Sequence, residues 1–346
     1  MAKLTDSIKL KNKTVKNRLV MPPAVCFNWA DTKGYETVSR AQHYGDRAKG
    51  GTGLIVIEAT AILPEARIVE RELGLWEDGH MAQFSKIAAA CHEHGSVVLV
   101  QLVHAGQKSF GEVVKSSSAR EIQGKTCEAL TLEEIGHVKD AFVSAAVRAE
   151  KAGLDGIEIH GAHGYLLSQF TASKTNFRID AYGGSLENRT RLSVEIVKAI
   201  RESTSDEFII GYRFGVNDPL MKEDIWFARE LEALGVDFFN VSSGIGMEGL
   251  EVPKDFPFSP ITHMGTVVHK QLKTPVACVF GIRTPEDANY LIENNLTDFV
   301  AIGRGLLAEP NWFNKAASGI MPNICYDCKS GCKYRIDGKT CPLYGK

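Results

Sequence analysis

Short apolar runs rich in β-branched residues recur along the chain, each followed by a polar stretch with helical spacing. The runs cover residues 18–21 (RLVM), 53–58 (GLIVIE), 97–102 (VVLVQL), 156–160 (GIEIH), 208–214 (FIIGYRF), 237–242 (DFFNVS), 275–279 (PVACV) and 298–302 (DFVAI). Continuous apolar runs of this length suit strands buried on both faces, the condition of a parallel sheet. Between them, residues 132–152 place Ile135, Val138, Phe142, Ala145, Ala146 and Ala149 on one helical face. Residues 185–201 and 284–295 read similarly. The second of these opens with Thr284-Pro285, a capping hydroxyl followed by proline in the first turn. Eight strand–helix units in about 300 residues predict an α/β fold, the (β/α)8 TIM barrel. A doubly wound sheet is the alternative. The barrel is favoured because polar residues cluster just after the strands all round the repeat, and because no G-x-G-x-x-G turn follows the first strand. A single barrel over residues 1–315 is expected, with a short Cys-rich C-terminal extension, residues 316–346, packed on it.

Charge and composition narrow the function classes. The 40 basic and 42 acidic side chains leave a net charge of -2, with no basic excess to hold a nucleic acid or an anionic membrane surface. No apolar run reaches the roughly 18 residues of a membrane span. The start, Met1-Ala2-Lys3-Leu4-Thr5-Asp6, lacks the apolar stretch of a secretory leader, so a cytoplasmic protein is expected. Of the 8 cysteines, Cys26, Cys91, Cys127 and Cys278 are scattered, whereas Cys325, Cys328, Cys332 and Cys341 crowd near the C-terminus. In a reducing compartment such clustering suggests a metal more than disulfides.

In a barrel the active face lies at the C-terminal ends of the strands. There the third run leads into residues 101–106 (QLVHAG) and the fourth into 160–165 (HGAHGY). The fifth carries Arg213, the seventh runs into Gly281, and the eighth into Gly303-Arg304. Two imidazoles, His160 and His163, can donate to one oxygen and stabilise negative charge developing on it. The phenol of Tyr165 can protonate a neighbouring carbon. A lone histidine more often caps a helix or satisfies a core carbonyl; an H-x-x-H-x-Y set leaving a barrel strand favours chemistry. Zinc is disfavoured there, because no H-E-x-x-H pattern supplies further ligands. Glycines after the last two strands let backbone N–H groups approach a phosphate, and Arg304 pairs with it. Either glycine alone is explained by the turn it makes. Arg213, in an otherwise apolar strand, is either half of an internal salt bridge or a cation beside an electron-rich ring that becomes anionic on reduction.

Residues 155–167 (DGIEIHGAHGYLL), 176–178 (NFR) and 180–189 (DAYGGSLENR) together resemble the signature of the old yellow enzyme family. Residues 16–23 (KNRLVMPP), 58–60 (EAT), 101–106 and 302–304 (IGR) resemble it in the same order, so the likeness covers roughly residues 4–315. It implies a barrel holding FMN non-covalently. Pro23, Ala24, Val25 and Ala59 would line the flavin, Gln101 would bond its pyrimidine edge, and Arg213 would sit by the N1–C2 carbonyl locus. Gly281, Gly303 and Arg304 would hold the phosphate. The implied activity is that of an FMN-dependent ene-reductase. NADH or NADPH reduces FMN, and flavin N5 then passes hydride to the β-carbon of an α,β-unsaturated carbonyl substrate. His160 and His163 would hold the substrate oxygen, Tyr165 would deliver the proton, and Phe27 would wall the pocket.

Two departures from the family matter. Where many bacterial members carry Cys and yeast-type members Thr beside the flavin, this chain has Val25, with Cys26 one residue later. Either the loop presents Cys26 or the flavin lacks that contact, and Cys26 as a small apolar core residue stays equally open. The second departure is the tail. Cys325-x2-Cys328-x3-Cys332-x8-Cys341 is similar to the 4Fe-4S segment of the dienoyl-CoA and 2-enoate reductases, whose last gap is a little longer. Four thiolates suit a 4Fe-4S cluster or structural zinc. Those relatives continue into a further flavin and nicotinamide domain. A cluster fed by a separate electron-donor protein, a metal staple, and a relic binding nothing all stay open. So do a homo-oligomer and two other functions: a flavin barrel oxidising or demethylating amines, and an electron-transfer subunit working through the tail. The natural substrate is set by loops such as 109–127 and 244–262, for which one sequence gives no code.

Overall fold

The computed structural model describes residues 1–122, 124–328 and 331–343. A hairpin of β1 (Ile8–Leu10) and β2 (Lys13–Val15) opens the chain. Strands β3 (Leu19–Met21), β4 (Leu54–Ala61) and β5 (Val97–Val103) follow. After three short strands, β6 (Val113–Ser116), β7 (Arg120–Ile122) and β8 (Lys125–Ala129), come β9 (Gly156–Gly161) and β10 (Ile209–Val216). The last three are β11 (Phe238–Ser243), β12 (Val276–Val279) and β13 (Phe299–Ala301). β3, β4, β5 and β9 to β13 pair in parallel, and β13 returns to β3, closing the expected eight-stranded barrel. Every apolar run read from the sequence supplies one of its strands.

Ten α-helices accompany the strands among the described residues: α1 (Arg40–Lys49), α2 (Met81–His92), α3 (Leu132–Lys151), α4 (Leu166–Thr171), α5 (Leu186–Ser203), α6 (Lys222–Ala233), α7 (Pro260–His269), α8 (Pro285–Glu293), α9 (Arg304–Ala308) and α10 (Trp312–Ala317). α3 buries all six residues of the face expected for it, and a capping box of Thr131 and Glu134 starts it. Thr284 and Asp287 form a second box at α8. No described helix is long and apolar enough to cross a membrane.

The two-residue period of the strands divides the apolar residues between two cores. Leu19, Met21, Ile55, Ile57, Val98 and Val100 face the helices. Val20, Leu54, Val56, Leu99, Ile209 and Phe238 fill the barrel interior. Leu10 and Val15 of the hairpin join that inner cluster and cover the barrel's N-terminal end. Towards the C-terminal end the same inward rows turn polar: Gln101, Glu158, His160, Arg213, Asn240 and Ser242 are all buried. Strand register sets Glu158 beside Gln101, and Arg213 beside both His160 and Asn240.

Most of segment 109–127, expected as a loop, lies in a small sheet of order β6-β8-β7, with β6 parallel and β7 antiparallel to β8. Its strands are three to five residues long, too short for the periodicity of the sequence to mark.

At the end of β9 the backbone runs against Tyr212, whose hydroxyl is fixed by Ser193 at 2.9 Å. A Cβ on Gly161 would fall 2.2 Å from the Tyr212 ring. Gly161→Ala is expected to destabilise the fold by about 1–3 kcal/mol, the range of overpacked cores. A denaturant titration showing an unchanged midpoint would contradict this close approach.

Candidate active site

β9 ends at Gly161, and the chain turns sharply to bring His163 back over His160. His163 adopts φ +59°, a left-handed conformation uncommon for a residue with a side chain. Its backbone N–H donates to the Ser243 carbonyl at 2.9 Å. The two imidazole centroids lie 5.0 Å apart, with the Tyr165 ring 4.8 Å from His160 and 6.4 Å from His163. The three residues expected to do chemistry are therefore gathered at one point. His163 Nδ1 is 3.3 Å from His160 Nε2, and its Nε2 is 2.8 Å from Ser242 Oγ.

Burial, with the charges of His163, Arg213 and Lys108 adding to it, holds His160 well below the usual imidazole pKa. His163 is lowered to about 3 by burial and then by Arg213 and Lys108. Tyr165 is pushed up to about 12, chiefly by burial. At neutral pH the set is two uncharged imidazoles and a protonated phenol.

Beneath them, buried polar side chains hold one another. Gln101 Nε2 donates to Glu158 Oε1 at 2.6 Å, and Asn240 Nδ2 donates to Glu158 Oε2 at 3.0 Å. Burial raises the Glu158 pKa, and the Arg213 charge opposes the shift. Arg213 itself is 5% exposed, and its Nε and Nη1 have no hydrogen-bond partner among the described residues. A buried guanidinium with unmet donors calls for an acceptor, and none is found among the described residues.

Arg213 opens onto a cavity of about 420 Å³, also lined by Pro23, Ala24, Gly281, Gly303 and Arg304. That size lies within the range of cofactor pockets, about 300–1,000 Å³. The residues expected at a phosphate are thus brought together from the ends of β12 and β13. Phe280 and Gly281 are both left-handed, at φ +79° and +83°. The strained turn is pinned by Ser259 Oγ and Thr262 Oγ1, which donate to the Phe280 carbonyl at 3.0 and 2.6 Å.

The loop after β3 resolves the choice between Val25 and Cys26. Val25 joins Ala59 and Val103 in an apolar patch against which Phe27 and Tyr165 pack. Cys26 belongs to the core between barrel and helices, 1% exposed, with its thiol against the Ala24 carbonyl at 3.6 Å. Burial, followed by the Glu58 carboxylate, pushes that thiol well above its ordinary pKa. Cys26 is a core residue, and Val25 faces the patch that includes Tyr165. Ala59 reaches the patch through a register break between Ile57 and Thr60 in β4.

The tail reaches this loop. Arg335 Nε donates to the Val25 carbonyl at 2.6 Å, and its guanidinium stacks 4.5 Å over the Phe27 ring. Tyr334 is buried, its hydroxyl 3.1 Å from His43 Nδ1 and 3.0 Å from Arg47 Nη2. Arg304 pairs with Asp327. The four tail thiols line one cavity of about 60 Å³, which shares Arg304, Leu307, Cys325 and Cys332 with the larger one. Among the described residues no three potential ligands are grouped as a single metal ion needs.

Sequence reasoning missed Ser242, Asn240, Lys108 and Arg335. The first two lie on inward rows of β11 that a strict two-residue count exposes. Lys108 Nζ donates to the His163 carbonyl at 2.6 Å and lies 5.5 Å from the Tyr165 ring centroid. No sequence signal marks it or Arg335.

Comparison with known proteins agrees with the fold. Residues 3–323 match the model of the NADH:flavin oxidoreductase / NADH oxidase family. The chain is 36% identical over 341 residues to an NADH oxidase of Thermoanaerobacter brockii, covering 94% of this chain but only 52% of that protein. It is 35% identical over 324 residues to an NADPH dehydrogenase of Halalkalibacterium halodurans, covering 91% of this chain and 94% of that one. Among solved structures, morphinone reductase in complex with tetrahydroNAD superposes with a TM-score of 0.82 at 26% identity, over 97% of this chain and 96% of its own. A 2-naphthoyl-CoA reductase superposes at 0.86 and 26% identity, over 96% of this chain and 55% of its own. The chain belongs to the NADH:flavin oxidoreductase / NADH oxidase family, to which its likeness to old yellow enzymes pointed.

Proposed function

We propose that the protein is an FMN-dependent ene-reductase. FMN bound at the Arg213 cavity would supply the redox chemistry, taking hydride from NADH or NADPH and delivering it to the β-carbon of an α,β-unsaturated carbonyl compound. The observation that carries the reading is the buried His160, His163 and Tyr165 set beside a cavity onto which an unpartnered guanidinium opens.

Each residue has a physical task. Gly281, Gly303 and Arg304 hold the phosphate. Arg213 gives its free N–H groups to the pyrimidine carbonyl edge, where reduction places negative charge. Gln101 has one amide N–H committed to Glu158, which leaves its oxygen and its second N–H for the ring edge. Pro23, Ala24, Val25 and Ala59 wall the ring, and Phe27 walls the substrate side. His160 and His163 donate to the carbonyl oxygen and stabilise its developing charge in a dry site. Tyr165 keeps its proton at neutral pH and gives it to the α-carbon.

Electrostatics weigh against the amine reading. Lys108 and Arg335 both stand near Tyr165, and Arg335 already covers the Phe27 ring. An ammonium substrate would meet two positive charges there, whereas a polarised carbonyl would not be repelled.

For the tail we propose a 4Fe-4S cluster held by Cys325, Cys328, Cys332 and Cys341. The reading is supported by four thiols lining one space, the ligand number of such a cluster. The cluster would supply one-electron transfer.

Four measurements test these readings. In stopped-flow work on FMN-loaded protein, Tyr165→Phe should slow enone reduction by about 10²–10⁴-fold and leave reduction by NAD(P)H unchanged. His160→Ala/His163→Ala should lose enone turnover while retaining flavin, and full turnover in that variant would sink the proposal. The pH profile of the enone step should be flat from about pH 5 to 9. The lowered histidines are already neutral there, and Tyr165 loses its proton only as the pH nears its raised value. A break near pH 6.5 would show an imidazole titrating in the site. Protein prepared without oxygen should carry about four irons and four labile sulfides per chain. Cys328→Ser should lower both, and zinc alone would overturn the assignment.

A further inference from the structure

Ser242 lies on β11, outside every motif of the chain, yet its hydroxyl contacts one of the two histidines. Resting on the reading that His160 and His163 hold the substrate oxygen, we propose that Ser242 is a positioning residue that lets His163 exchange tautomers. His163 then accepts from His160 when the two rings face each other directly and donates to the substrate oxygen when one lies between them.

The hydrogen-bond chain fixes the tautomers of the two rings as they face each other. The Ala162 N–H donates to His160 Nδ1 at 3.3 Å, so the proton of neutral His160 is on Nε2. That N–H faces His163 Nδ1 at 3.3 Å, which must therefore be the acceptor. The proton of His163 is then on Nε2, 2.8 Å from Ser242 Oγ.

An oxygen entering between the rings needs a donor from each. His160 already presents Nε2–H. His163 presents a lone pair, so its proton has to be on Nδ1. A doubly protonated ring would also serve, but burial and the charges of Arg213 and Lys108 hold His163 neutral. The change is proton-neutral, since Nδ1 takes one proton from solvent and Nε2 returns one. Nε2 is left with a buried lone pair that needs a donor, and the Ser242 hydroxyl is at that nitrogen. A hydroxyl both accepts and donates, and it turns about its own Cβ–O bond. A methyl group can do neither, and a carboxylate would only accept.

The backbone N–H of His163 is tied to the carbonyl of Ser243, the neighbour of Ser242. The strand carrying the hydroxyl therefore also anchors the histidine. Opposite Ser242 in register is Gly215, whose Cβ would fall 2.7 Å from Ala162 Cα, so β10 holds the His160–His163 turn close against β11.

The test uses FMN-loaded protein labelled with 15N-histidine, with 4-hydroxybenzaldehyde as a phenolate probe that imitates an enolate oxygen. Long-range 15N–1H spectra at pH 7 distinguish Nδ1–H from Nε2–H, and His163→Gln identifies the signals. Without probe, His163 should be protonated on Nε2; with probe, on Nδ1, while His160 keeps Nε2–H. Ser242→Ala should bind the phenolate about tenfold more weakly, the worth of one buried hydrogen bond. It should also lose the tautomer change, and Ser242→Thr should restore both. A wild-type His163 with one tautomer in both states overturns the inference while leaving the oxyanion site intact, as does unweakened binding in Ser242→Ala. If the probe gives no charge-transfer band with wild-type protein, the oxyanion reading falls and this inference with it.

Discussion

A guanidinium placed inside a closed barrel governs how the active face is arranged. Arg213 points inward because it lies two residues beyond Gly211 and four beyond Ile209 on β10, and in a strand those positions share a face. Removing such a charge from water is costly unless something compensates. Glu158 compensates in part through its field, and is itself bonded by Gln101 and Asn240. Among the described residues two of the Arg213 guanidinium nitrogens have no hydrogen-bond partner.

The same charge shapes the histidines above. Arg213 adds to burial in keeping His160 and His163 uncharged. An uncharged imidazole has one donor and one acceptor, so what it offers a substrate depends on the group at its far nitrogen. Charge in the barrel and hydrogen bonding at the mouth are therefore one design. The apolar inner core below, stoppered by the β1–β2 hairpin, keeps water from screening either.

The tail extends that enclosure. Tyr334 enters a buried network on α1, and Arg335 caps the loop that carries Val25 and Phe27. Asp327 pairs with Arg304, which lines the cavity onto which Arg213 opens. The cysteine cavity shares walls with that cavity, so order in the tail and order around Arg304 are mechanically linked.

The eight strands were legible in the chain because a parallel strand buried on both faces is written as an unbroken apolar run. The histidine–tyrosine set and the glycines were legible because their spacing follows a strand exit. Cys26 and Val25 were not separable by sequence, since adjacent residues in an irregular loop have no fixed alternation; only packing sends one thiol into the core and leaves valine on the active face. Lys108 and Arg335 reach Tyr165 from residues far apart along the chain, and no local pattern encodes such a meeting. Local periodicity and spacing set the barrel and its reactive groups. Which groups become partners, and which protons they carry, follows from close packing between distant segments, where burial and neighbouring charge act together.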